Sequence, residues 1–231
     1  MTKLHQCRYR FGLTGTLDGT LTHRLVLEGL FGTAETIVTT KELIDKKTLA
    51  DLTVKCILLK HKNIREKMTY AEELEYLATN EKRNNFIVNL LQHLDGNTLC
   101  LFQLVEKHGK PLYEQVEETI TDRKTFFVYG GTDTSEREEI RGVVENEKKS
   151  VILASYGTFS TGINIRKLHN IIFASPSKSQ IRVLQSIGRG LRKSPDGRNT
   201  KVFDIADDLH WKNRKNYTLN HAAERIKIYS K

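Results

Sequence analysis

Cysteine is scarce: three residues in 231, at Cys7, Cys56 and Cys100. No two stand at the close spacing of a zinc site, and the eight histidines are just as scattered, so no metal site is expected. Cys56 and Cys100 fall in the apolar runs Cys-Ile-Leu-Leu and Leu-Cys-Leu-Phe, which read as buried free thiols. No apolar run approaches the roughly 20 residues needed to span a bilayer. The stretch Met1 to Cys7 lacks the apolar core of a secretory signal. These absences point to a soluble, cytoplasmic protein with no membrane partner. Two glycine signatures are missing as well. Neither the phosphate loop Gly-x-x-x-x-Gly-Lys-Ser/Thr nor the dinucleotide fingerprint Gly-x-Gly-x-x-Gly occurs in its required setting. No internal repeat or low-complexity tract is present.

What the chain does have is positive charge and a strand-helix rhythm. Its formal charge is +9, which favours a polyanionic partner, nucleic acid first among them. Hydrophobic residues make up 38% of the chain, enough to exclude dominant disorder. Short apolar runs at 98–102, 125–129, 151–154, 170–174 and 201–205 read as strands buried on both faces of a parallel sheet. Residues 54–59 are a further strand candidate. Helical patterns fall at 41–46, 70–77, 81–94, 111–119, 136–146 and 177–193. Asp133 or Ser135 is suited to cap the helix at 136–146. This alternation predicts an α/β fold with a mostly parallel sheet flanked by helices. Ligands on such sheets sit at the carboxyl ends of the strands. Residues 9–13 read as a lone strand, and 17–40, rich in Gly and Thr, as a connection.

The strongest chemical signal is Gln185-Ser186-Ile187-Gly188-Arg189-Gly190-Leu191-Arg192. On a helix, Arg182, Gln185, Arg189 and Arg192 share one stripe, while Leu184, Ile187 and Leu191 point the other way. Paired guanidiniums on a buried helix are suited to bidentate contact with phosphate oxygens. A solvated basic face is the bland alternative. Gly188 and Gly190 argue against it, because each costs about 1 kcal/mol relative to Ala within a helix, and that cost suggests a close backbone approach.

Gln-x-x-Gly-Arg-x-x-Arg resembles motif VI of the superfamily 2 helicases. Other landmarks follow in the family's order. Gly12-Leu13-Thr14-Gly15-Thr16-Leu17 resembles motif III, and Thr98 to Gln103 the motif IV strand. Tyr129-Gly130-Gly131-Thr132, with Glu136-Arg137 after it, is similar to the turn and helix start between motifs IV and V. Val151 to Ser155, continued through Gly162-Ile163-Asn164, resembles motif V. The resemblance covers essentially the whole chain, and its wording is most like the UvsW-type helicases of T4-like bacteriophages.

The resemblance implies a RecA-like fold and two units. Residues 1–38 would be the tail of a first lobe with a linker, and 39–231 the second lobe. It implies an ATP-dependent DNA helicase or translocase acting on branched or recombination DNA, in the host cytoplasm if phage-encoded. Arg189 and Arg192 would meet the ATP γ-phosphate, with Gln185 linking nucleotide to lobe interface. Gly162 would lie near the nucleotide and Asn164 near its ribose; many relatives carry Asp there, so Asn keeps the polar contact and loses a charge. Ser155 and Thr158 would touch the DNA backbone, although an ordinary Ser/Thr turn reads the same. Arg137 would contact a phosphate or lie solvated. Thr14 and Thr16 would couple hydrolysis to strand movement. ATP and Mg²⁺ would be held mainly by the first lobe, the phosphate loop being absent here. The expectation is therefore that this chain does not hydrolyse ATP alone and is part of a longer protein. These motifs do not separate DNA from RNA. A stand-alone nucleic-acid-binding accessory module without ATPase activity is the second reading. In the C-terminal segment, Trp211, Tyr217 and Tyr229 are expected to pack on the domain, while the roles of Lys212, Arg214, Lys215, Arg225 and Lys227 stay open.

Overall fold

The structure, a computed structural model, describes residues 7–13, 21–38, 40–46, 52–62, 64, 66–161, 165, 167–177 and 196–229. Within these, six strands form one sheet: β1 (Leu52–Lys60), β2 (Thr98–Phe102), β3 (Lys124–Val128), β4 (Ser150–Ser155), β5 (Asn170–Phe173) and β6 (Thr200–Asp208). Their order is β1-β6-β5-β2-β4-β3, and every neighbouring pair is parallel. All the apolar runs read as strands from 52 onward are therefore strands. The central ones, β2 and β4, are buried at every position, which is why their sequences run apolar without alternation.

Side chains alternate across the sheet and build two cores. On one face Leu99, Leu101, Ile152, Ile171 and Val202 meet Ile140 and Val144 of α6 (Thr134–Asn146). On the other, Cys100, Phe102, Leu153 and Ile172 meet Ile87, Val88 and Leu91 of α4 (Glu81–His93) and Leu112 and Val116 of α5 (Lys110–Thr119). The remaining described helices are α1 (Leu21–Phe31), α2 (Thr40–Asp45), α3 (Tyr70–Thr79), α7 (Tyr156–Thr161) and α8 (Tyr217–Tyr229). Asp133 sits at the N-cap of α6 with extended backbone, although its side chain makes no capping bond.

Three expectations need correction. Residues 9–13 form no strand and are exposed; a strand without a neighbour has nothing to bond its backbone. The stretch read as a connection contains α1, where Arg24 pairs with Glu28 one turn on at 2.9 Å. Cys56 is exposed, because β1 is an edge strand covered on neither face over its full length. Of the two readings of Ser155 and Thr158, the plain turn is replaced by the end of β4 running directly into a short helix, α7, with Ser155 the last residue of the strand and Thr158 in the helix. Cys100 is buried as expected, and burial pushes its thiol up to about 12.

Candidate functional site: the carboxyl edge of the sheet

With six parallel strands, all carboxyl ends lie on one edge. The chain leaves β2 toward β3 on one side of the sheet and leaves β5 toward β6 on the other. Divergent connections of this kind open a crevice between the two strand ends. Here the backbone is laced together. Ala174 N and Ser175 N donate to Leu101 O at 3.0 and 3.3 Å. Gln103 N donates to Ser175 Oγ at 3.1 Å, and Tyr156 OH donates to Ser175 O at 2.8 Å. Ser175 thus ties together the ends of β2, β4 and β5.

His108 completes this lacing, with its Nδ1 3.0 Å from Ser175 Oγ. It lies in a single π-helical turn, Val105–Gly109, that runs straight into α5; such turns recur at functional sites. Burial, reinforced by the Arg83 guanidinium, drives its pKa down to about 3, so the ring is neutral. The turn needs glycine at its end, because a Cβ on Gly109 would lie 2.5 Å from the Phe102 ring.

At the end of β4 the Ser155 and Thr158 hydroxyls bond each other at 2.8 Å, and Thr158 N donates to Ser155 Oγ at 3.3 Å. Both side chains are buried. Ser155 therefore caps α7, while Gly157 between them is exposed. On the neighbouring strand β3, the turn Tyr129–Thr132 closes through Thr132 N to Tyr129 O at 3.0 Å and Tyr129 N to Thr132 Oγ1 at 3.1 Å. Gly131 lies close beneath the Tyr129 ring, which is 2.7 Å from where a Cβ on Gly131 would be. Arg137 follows in the first turn of α6, half-buried, with its Nε buried and without a hydrogen-bond partner. Ser155, Thr158 and Arg137 thus come together at the ends of two adjacent strands. Gln185, Arg189, Arg192, Gly162, Asn164, Thr14 and Thr16 lie outside the described residues. In the chain, the first three belong to the connection between β5 and β6, and Gly162 and Asn164 to that between β4 and β5.

Two features of this edge were not read from the sequence. One is a buried charge relay. Arg83 Nε donates to Asp207 Oδ1 and Oδ2 at 2.9 and 3.0 Å, and His61 Nε2 lies 2.9 Å from Asp207 Oδ1. Burial raises the Asp207 carboxyl, but Arg83 and His61 outweigh it and hold it below the usual range. The other is a groove past the end of β6 that contains Trp211. The only sequence signal for the relay was the pair Asp207-Asp208 closing an apolar strand.

The fold agrees with comparisons to known proteins. Residues 81–194 match the helicase conserved C-terminal domain. The chain is 33% identical to the ATP-dependent DNA helicase UvsW of Enterobacteria phage T4 over 98% of its own length. The crystal structure of T4 UvsW superposes on 87% of it with a TM-score of 0.66. The chain carries a superfamily 2 helicase C-terminal lobe. This lobe spans 48% of the T4 protein and 42% of the chain in its crystal structure. It is also 28% identical, over 73% of its length, to the putative helicase 161L of Invertebrate iridescent virus 6, of which it covers 38%. The DNA-bound restriction-modification enzyme LlaBIII, 18% identical with a TM-score of 0.57 over 85% of this chain and 15% of that one, shares the RecA-like fold of the lobe.

Proposed function

We propose that this lobe is the second half of an ATP-dependent DNA motor that remodels branched or recombination DNA. ATP binds between two lobes, and this one supplies Arg189 and Arg192 against the γ-phosphate, with Gln185 relating nucleotide to lobe interface. Gly162 and Asn164 approach the nucleotide. Arg137 and the α7 turn at Ser155 and Thr158 hold the DNA backbone, and Thr14 and Thr16 couple hydrolysis to movement. Guanidiniums suit the first task because they stay charged and bind phosphate oxygens in pairs; stabilising charge as the phosphoryl group transfers is the main catalytic need. Small polar groups and amides at strand ends suit the second task and carry no base information. With the Ser155 and Thr158 hydroxyls turned to each other, the exposed backbone around Gly157 is the surface offered to a phosphate.

The observation that carries the reading is the carboxyl edge. A divergence of connections, a laced set of strand ends and an Arg137 with an unpaired buried Nε fall together on one edge. Among the described residues no three His, Cys, Asp or Glu side chains cluster to hold a metal ion. The helicase resemblance assigns the donors for Mg²⁺ to the other lobe, and no step here runs through them. DNA is preferred to RNA because the 33%-identical relative is named a DNA helicase.

The test is Arg192→Ala in the two-lobe enzyme, read by steady-state ATPase with branched DNA present. Turnover should fall about 10³-fold or more, with ATP affinity changed far less; unaltered turnover removes Arg192 from the mechanism. The +9 charge also suits a second reading, an accessory module that binds nucleic acid without ATPase. It requires salt-sensitive binding and no turnover even after a first lobe is supplied.

A further inference from the structure

A groove of about 320 Å³ opens beyond the end of β6, between the loop leading to α8 and the segment entering α3. That volume is at the small end for ligand pockets and suits one flat ring system. Lys67, Trp211, Arg214, Lys215 and Tyr217 line it. Lys67, Lys212, Arg214 and Lys215 are exposed, and none of the four forms an ion pair with a carboxylate among the described residues. Lys212 Nζ lies 4.2 Å from the Trp211 ring centroid, and Lys67 Nζ lies 5.9 Å from that of Tyr217. The one carboxylate in the wall, Glu73, is committed elsewhere: its two oxygens accept from Tyr217 N and Thr218 N, each at 2.8 Å, at the start of α8.

The loop is held in shape for this display. Trp211 and Arg214 exchange backbone hydrogen bonds at 3.2 and 3.1 Å, closing a tight turn. Within it Lys212 has φ 53, a left-handed conformation uncommon for any residue but glycine. The result is one half-buried indole ringed by cations. Aromatic rings interleaved with cations bind single-stranded nucleic acid, the ring stacking a base and the cations tracking the phosphates.

We propose that this groove is a second nucleic-acid contact, one that takes a single-stranded segment with a base against Trp211 and flanking phosphates on Lys67, Lys212, Arg214 and Lys215. It goes beyond the motor reading and stands apart from the contacts at Ser155, Thr158 and Arg137. β6 and β4 are three strand spacings apart, about 14 Å. The groove lies on the same edge of the sheet, so one strand leaving the α7 turn can reach it.

Trp211 is the only tryptophan, so its fluorescence reports the groove alone. The 231-residue chain is titrated with short oligothymidylate, with the matching duplex and with polyglutamate. Oligothymidylate should quench Trp211 saturably, and the other two should not. By oligonucleotide anisotropy, Trp211→Ala should weaken binding about tenfold, ~1.4 kcal/mol, while Trp211→Phe retains most of the affinity. Joint replacement of Lys212, Arg214 and Lys215 by Gln touches only exposed side chains and should lower the salt slope by about 2. Absent quenching, equal quenching by duplex or polyglutamate, or an unchanged salt slope overturns the proposal. Quenching that persists in the 231-residue chain carrying Arg192→Ala separates this site from the motor.

Discussion

His108 is buried, neutral and bonded to Ser175 at the junction of three strands. Its folded pKa is depressed from 6.5 to about 3, by burial first and by Arg83 second. Between these values the unfolded chain takes up a proton that the folded chain refuses, so stability falls as pH drops from 6.5 toward 3. The slope from this residue is ~1.4 kcal/mol per pH unit. Denaturant melts at pH 7, 5.5 and 4 should show that loss, and His108→Gln should remove about one proton's worth of it. An unchanged pH dependence in His108→Gln would mean that the ring titrates normally. Asp207 acts at lower pH with the same sense: its lowered carboxyl contributes stability above 3.8 that is lost as pH falls through its folded value.

At the scale of elements, α8 begins because α3 caps it. Two backbone amides that would otherwise lie orphaned at its first turn donate to the buried Glu73. Glu73→Ala should cost about 2 kcal/mol, seen as a lower melting temperature with loss of protection at the α8 amides; an unshifted melt would assign the cap to water. Such a long-range cap is invisible in sequence, since Glu73 stands more than a hundred residues before α8. The strands were legible for the opposite reason. A strand buried on both faces, like β2, carries its environment in its own composition. An edge strand does not: Cys56 sits in a run as apolar as that around Cys100, and only the sheet order makes one thiol exposed and the other buried. The start of α1 escaped because Gly and Thr on either side mimic a loop, and α7 because Ser155 and Thr158 spell both a turn and a cap. Of the C-terminal aromatics and cations, Tyr229 packs as expected and donates to Asp204 at 2.6 Å. Arg225 is buried on that same carboxylate at 2.7 Å, whereas Trp211 and Tyr217 line a groove. Spacing along the chain cannot separate those outcomes, because they depend on which side of α8 and its loop faces the sheet.

For the molecule as a whole, six parallel strands place the β4 turn, the crevice beside β5 and the Trp211 groove along a single edge, leaving the opposite edge to structure. There His169 joins Asn97 and Asp196 at 2.9 Å each. The +9 charge raises the local concentration of any polyanion around the chain without choosing among sites; in the function proposed above, that choice falls to Arg137, the α7 turn and the indole ring.

The pairing of β1 with β6 sets the order of events during synthesis. Leu52 lies beside Thr200, a partner made about 150 residues later, and the whole of β1 depends on that one neighbour. On the ribosome β1 must wait, its backbone unmatched, until almost the entire lobe has emerged, whereas β2, β3 and β4 close among themselves much earlier. In pulse-labelling hydrogen exchange, amides of β2 and β4 should become protected before those of β1; simultaneous protection would refute this sequence. Lys55 and Lys60 on that waiting strand, both exposed, are the kind of charge that discourages a nascent edge from joining the wrong chain.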